Sequence, residues 1–172
     1  MTATHVQNHR RFGYLLALAI FLADQLVKWV VIYQLHLPRV GRIDVIPFFA
    51  LSWVENRGIS MGFLTAGSDL ERWGLVVLTA AIATVVAVWL WKEKRRPDAI
   101  GLAMVLGGAL GNILDRTRLG YVADFLDLHI GEWRPFLVFN VADAAITLGV
   151  VLLLIRALFT RDEAPQGVST DA

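Results

Sequence analysis

Four stretches of this chain, at about 12–35, 73–91, 98–116 and 136–159, are apolar over nearly the length needed to cross a membrane. A helix requires about 20 residues to span a hydrocarbon layer about 30 Å thick. The run from Trp73 to Trp91 carries no charge and has tryptophan at both ends, where amphipathic rings favour the headgroup level. The other three are interrupted, the first by Asp24, Gln25 and Lys28, the third by Asp115-Arg116 at its end, the fourth by Asn140 and Asp143 near its start. With 56% hydrophobic and 18% charged residues and a mean hydropathy of +0.58, a chain of 172 residues leaves no room for a separate soluble domain. The expected fold class is an all-α membrane protein with a small β element, forming one domain over 1–172.

The first apolar run starts after Arg10-Arg11, is too long for the core of a cleaved signal and is followed by no small-residue cleavage site, so it reads as a retained span. Four spans put both termini on one side. Cations are almost evenly divided between the two sides, and density separates them: Lys92-Glu-Lys-Arg-Arg96 packs four into one short loop beside a span. The positive-inside rule therefore assigns that loop and the termini to the cytoplasm. Segments at about 36–72 and 117–135 then lie outside. Each contains a strand-like run, Ile43 to Val54 and Tyr121 to Ile130, rich in β-branched and aromatic residues, so a small outer-face sheet with a surface loop is expected. The tail at about 161–172 reads as disordered.

Several function classes are excluded at this stage. The absence of cysteine removes disulfides, thiolate metal sites and cysteine nucleophiles. A net charge of +1 offers no basic face for nucleic acid. The four histidines are too scattered for a zinc site, and neither a metal nor another cofactor is expected. Gly58-Ile-Ser-Met-Gly62 matches the pattern of a serine-hydrolase elbow, but no histidine base is suitably ordered with it.

What remains is acidic. A lone ionised side chain in or beside hydrocarbon is costly, so Asp124 and Asp143 each need a reason and a partner. Gly108, Asn112 and Asp115 fall at i, i+4 and i+7, on one stripe with Gly101, and Arg116 follows directly. Gly107 and Gly111 are spaced as an ordinary helix-packing pair. Asn140 and Asp143, three apart, project together from the start of the fourth span. Two adjacent carboxylates do not both ionise easily, so such a pair supplies a base and an acid together. By spacing alone Asp127 competes with Asp124. Asp24 and Lys28, at i and i+4, form an internal ion pair or place Asp24 in the cavity. Paired intramembrane acids also suit a proton-coupled small transporter, or a scaffold whose acids merely pair with Arg116 and Lys28.

Asp24-Gln-Leu-Val-Lys28, Asn56-Arg-Gly58, Gly107-Gly-Ala-Leu-Gly-Asn-Ile-Leu-Asp-Arg116, Gly120-Tyr-Val-Ala-Asp-Phe125 and Phe139-Asn-Val-Ala-Asp143 resemble, in order, the motif blocks of the lipoprotein signal peptidases, the type II signal peptidases of bacteria. That resemblance implies a multi-pass aspartyl endopeptidase of the inner membrane with cytoplasmic termini and a site at the periplasmic face. It implies substrates that are diacylglyceryl-modified prolipoproteins, cut just before the lipidated cysteine, contact with membrane lipids, and sensitivity to the cyclic peptide globomycin. The dyad matches Asp124 and Asp143. Asn56, Asn112, Arg116 and Asn140 match positions that line the site, and Asp24 and Asp115 match supporting acids, with Gly58 and Gly108 inside the same blocks. Phe48, Phe49, Trp53, Phe63 and Leu64 are expected to clamp the lipid and the substrate helix. The chain departs from the family's usual alanines and phenylalanine at Ile59-Ser60-Met61, which bears on how the following loop closes.

Overall fold

The computed structural model describes residues 3–58, 69–131 and 133–159. Helix α1, Ala3–Trp29, continues through a π-helical turn, Val30–Gln34. A four-residue helix α2, Leu37–Val40, leads into strands β1, Arg42–Ile46, and β2, Phe49–Asn56. Helices α3, Asp69–Lys92, and α4, Arg96–Arg118, follow, then strand β3, Val122–Leu128, and helix α5, Val141–Phe159. Four of the described helices are long and apolar enough to cross a membrane, and the protein is a multi-pass membrane protein.

The helix boundaries follow from local chemistry. α4 starts beyond Arg95, which is extended, with proline in its first turn where a missing N–H costs nothing. Asp98 near its start and Arg116 and Arg118 near its end complement the helix dipole. α4 is also the central helix, packed against α1, α3 and α5. Half of its apolar window is buried inside the protein, against 17–22% in the other three. Its glycines explain how three helices crowd one. A Cβ at Gly107 would stand 2.5 Å from the Ala17 carbonyl oxygen on α1, and one at Gly108 would strike the Ala142 carbonyl on α5. Gly101 likewise admits Leu153 and the Gly149 backbone. Gly108 and Gly101 are therefore contact points between α4 and α5, not part of an open lining.

The three strands form one antiparallel sheet in the order β1-β2-β3. The strand-like run from Ile43 to Val54 is a hairpin rather than one strand, because Pro47 and Phe48 turn the chain and proline cannot donate to a ladder. Phe125 from β3, Val31 and Leu37 form a small core with Val27, Ile43, Leu51 and Trp53 around it, which seats the sheet on the carboxyl-terminal end of α1. The fourth span begins at Val141, five residues later than its hydropathy suggests: Phe139 is held as a bridge to Leu126 beyond β3. Residues 59–68, with Phe63, Leu64 and Ile59-Ser60-Met61, and the tail at 160–172 lie outside the described residues.

Candidate active site

The sheet and the helix bundle join at Phe139. Its carbonyl accepts from the backbone N–H groups of Phe125 (3.1 Å) and Leu126 (2.7 Å), and its own N–H donates to Leu126 O (3.1 Å). Those bonds bring the start of α5 alongside β3. Asn140 then caps α5: its Oδ1 accepts from the Asp143 N–H (2.9 Å), and Asp143 Oδ2 accepts from the Asn140 N–H (3.3 Å). This reciprocal arrangement is a capping box, here built with an aspartate at the third helical position.

The remaining amide of Asn140 faces the other acid. Asn140 Nδ2 donates to Asp124 Oδ1 (2.6 Å) and to Asn112 Oδ1 (3.2 Å), while Asn112 Nδ2 donates to Asp143 Oδ1 (2.8 Å). Two asparagines thus clamp the two carboxylates. Asn56 completes the shell with a bond from Nδ2 to Asp124 Oδ2 (3.0 Å), and the Gly58 N–H holds Asn56 Oδ1 (3.0 Å) so that the amide points that way. Gly58 has φ +97°, a backbone conformation that favours glycine. The sheet register explains the reach: Val54 lies opposite Asp124, so Asn56 is its diagonal neighbour on the same face.

Asp24 and Asp115 act one layer further in. Asp24 Oδ1 accepts from the Ala142 N–H at the start of α5 (2.9 Å), and Asp115 Oδ2 accepts from the Ala123 N–H beside Asp124 (3.2 Å). Each acid therefore fixes the backbone that carries one member of the pair. Lys28 is ion-paired to both, at 2.8 Å from Asp24 and 2.7 Å from Asp115, and reaches Asn112 Oδ1 at 3.4 Å. Gln25 Nε2 bridges Asp24 (3.1 Å) and Asp115 (3.1 Å). Asp24 and Lys28 do form an ion pair, and it serves the site. Lys28 and Gln25 were the residues that sequence reasoning left out of the site; polar positions at i, i+1 and i+4 inside an otherwise apolar span were the available signal.

Asp124 is 1% exposed and Asp127 is equally buried, yet their surroundings differ. Burial raises the Asp124 carboxyl to about 6, reinforced by the nearby Asp143 charge and opposed by the amides of Asn56 and Asn140. Burial also pushes Asp127 up, but the Ser52 hydroxyl and the Arg134 and Arg42 guanidinium groups outweigh it and hold Asp127 below the ordinary carboxylate value. Asp127 is ion-paired to Arg42 (2.8 Å) and Arg134 (3.2 Å) and bonded to Ser52 (2.8 Å). It locks the sheet to the segment after it. Arg116 lies close enough to interact with Asp143, Asp124 and Asp115, and its buried Nε has no hydrogen-bond partner among the described residues.

The pair opens on two concavities that share Phe136 and Leu137. One, of about 540 Å³, is bordered by Asn56, Gly58, Asp124 and Arg134. The other, of about 350 Å³, runs over Asp143, Ala144, Thr147 and Leu148 along α5. Phe48 is more than half exposed, and Trp53 packs edge-on against Tyr121 at 6.2 Å.

The sequence profile described as Signal peptidase (SPase) II matches residues 16–159. A lipoprotein signal peptidase of Rhizorhabdus wittichii is 56% identical over 164 residues, covering 95% of each chain. One of Sphingopyxis alaskensis is 51% identical over 156 residues, covering 91% of this chain and 90% of the other. Among solved structures, a bacterial membrane enzyme determined by the in meso method superposes with a TM-score of 0.74 at 27% identity, over 92% of this chain and 94% of the other.

Proposed function

The chain belongs to the signal peptidase II family, and from that premise we propose that it is an aspartyl endopeptidase that removes the signal peptide from diacylglyceryl-modified prolipoproteins, cutting just before the lipidated cysteine. Asp143, at the amino terminus of α5 where negative charge is favoured, is the carboxylate that takes a proton from water. The resulting hydroxide attacks the scissile carbonyl. Protonated Asp124 hydrogen-bonds the developing oxyanion, and the proton held by Asp143 passes to the leaving amine of the cysteine. Arg116, with its free Nε, holds substrate backbone carbonyls or the lipid headgroup.

The observation that carries this reading is the shared clamp: the Asn140 side-chain amide bonds the Asp124 carboxyl directly and links through Asn112 to the Asp143 carboxylate, which the Asn140 backbone N–H also bonds. A proton relay across the membrane is disfavoured by what lies beyond it. Further along α4 the core is Ala99, Leu102, Ala103 and Leu106 with Ala17, Ala83 and Leu90, and no buried polar or charged side chain among the described residues lies there. The basic loop Lys92–Arg96 lies at that far end, which under the positive-inside rule supports a reading with the termini in the cytoplasm and the site at the outer face of the bacterial inner membrane.

The test is cleavage of a purified diacylglyceryl-modified precursor, with globomycin as inhibitor. Wild type is expected to release a product whose first residue is the lipidated cysteine, and globomycin to block it. Asp124→Asn and Asp143→Asn are each expected to lower turnover by about 10³-fold or more, the upper range for a positioned acid or base, with the thermal unfolding of folded protein retained. Normal turnover by either variant would remove the mechanism.

A further inference from the structure

The end of the molecule remote from the dyad contains a second cluster of ordered cationic and aromatic side chains. There Arg96 lies over the Phe12 ring at 5.0 Å, Arg10 over the Trp91 ring at 5.2 Å, Leu90 fills the space beside Gly13, and Arg156 pairs with Asp98 at 2.6 Å. Arg96 and Asp115 stand at opposite ends of α4, separated by about 28 Å at 1.5 Å per residue. Between α1 and α3 at this end is a cavity of about 520 Å³ lined by Arg10, Arg11, Tyr14, Leu15 and Trp91.

Three features of the cavity point to one kind of ligand. Its walls are apolar: Tyr14 commits its hydroxyl to the Ala87 carbonyl (2.8 Å) and sets its ring at 6.4 Å from Trp91. It opens on the lipid-facing surface, since Leu15 and Trp91 are 65% and 58% exposed on spanning helices. Its rim is cationic, and the Arg10 Nε is buried with no hydrogen-bond partner among the described residues. A buried donor without an acceptor is costly, and an incoming anionic oxygen removes that cost. Lys92, Lys94, Arg95 and Arg96 add to the positive field, and Glu93 is turned towards the Lys94 and Arg95 N–H groups, each at 2.8 Å.

We propose that this cavity binds an anionic phospholipid of the leaflet opposite the dyad, its phosphodiester on Arg10 and the basic rim, and an acyl chain along Tyr14, Leu15 and Trp91. The combination selects a lipid over a free anion, because a soluble phosphate would leave the apolar wall uncovered. It selects an anionic over a zwitterionic lipid, because an attached choline would meet the cationic rim. The stacking of Arg10 on Trp91 holds the guanidinium in place before the headgroup arrives.

Native mass spectrometry of the detergent-purified full chain tests this, titrating dioleoyl phosphatidylglycerol against dioleoyl phosphatidylcholine. Wild type is expected to retain phosphatidylglycerol at least about fivefold more tightly, the effect of one basic residue at a membrane surface. Arg10→Gln should bring the two lipids close to parity, while Arg39→Gln, an exposed position on α2, should leave the preference intact. If Arg10→Gln does not fold, Trp91→Leu, which keeps the surface apolar and removes the stack, is expected to weaken the preference in the same direction. Parity in wild type, an undiminished preference in Arg10→Gln or Trp91→Leu, or equal loss in Arg39→Gln would overturn the proposal. So would displacement of the lipid by millimolar glycerol phosphate, which would assign the cavity to a soluble anion.

Discussion

At the scale of single residues, the site turns on how differently two buried acids of one strand are treated. Asp124 and Asp127 are three apart on β3 and equally inaccessible, but two guanidinium groups meet Asp127 whereas asparagine amides and a second carboxyl meet Asp124. No spacing rule distinguishes them, because the arginines concerned are at 42 and 134 and reach Asp127 only in the folded chain. The raised Asp124 carboxyl has a direction for both stability and activity. It binds its proton more tightly folded than unfolded, so its contribution to stability is full below 3.8 and is lost as pH rises through about 6. In the proposed mechanism the same proton is needed for catalysis. The plot of kcat/KM against pH is therefore expected to fall on its alkaline side, with a midpoint belonging to the coupled pair. Asn56→Ala removes a donor that favours the ionised form, so its midpoint should move to higher pH; an unchanged or lower midpoint would contradict the assignment.

At the scale of elements, the decisive contact is α4 against α5. Gly107 and Gly108 are adjacent in sequence but serve different neighbours, the first α1 and the second α5. Gly108→Val pushes the carrier of Asp143 away from Asn112, so it should lose about 1–3 kcal/mol by overpacking and lose cleavage with it, measured by thermal unfolding and turnover on the same sample. Gly74 in α3 is the contrasting case, with nothing within 4 Å of an added Cβ. Gly74→Ala should stabilise the helix by about 0.5–1 kcal/mol and leave turnover unchanged. Helix existence was readable from hydropathy, including the Trp73 to Trp91 run now inside α3. The start of α5 was not: residues 136–139 are as apolar as a span, and it is the pairing of Phe139 with β3, followed by the Asn140 cap, that starts the helix at Val141. The hairpin at Pro47 lies inside one strand-like run, Ile43 to Val54, in which the proline was the available signal and the antiparallel pairing of β1 with β2 fixed the turn.

Across the whole molecule, one buried charge cluster joins all the parts that hold the acids. Asp24 on α1, Asp115 on α4 and Lys28 between them are at most 4% exposed in their side chains and bind the backbones of α5 and β3. Lys28→Met leaves two carboxylates without their cation, and should cost about 3–5 kcal/mol, as expected when one partner of a buried pair is removed. Adding Asp24→Asn and Asp115→Asn should recover much of that stability, read as the midpoint of thermal unfolding in detergent; no recovery would mean that the cluster acts through something other than charge. The amino-acid sequence by itself determined that the chain crosses a membrane, roughly where, and that its polar residues gather towards one end of the spans, because hydropathy and helical period are local properties. It also carried the motif blocks in their order. Which acid is clamped and which is ion-paired, which glycine meets which helix, and how Lys28 enters the site were decided only by tertiary structure. Those outcomes depend on groups up to 118 positions apart, as in the bond from Ala142 to Asp24, and no local pattern encodes a distance that only packing creates.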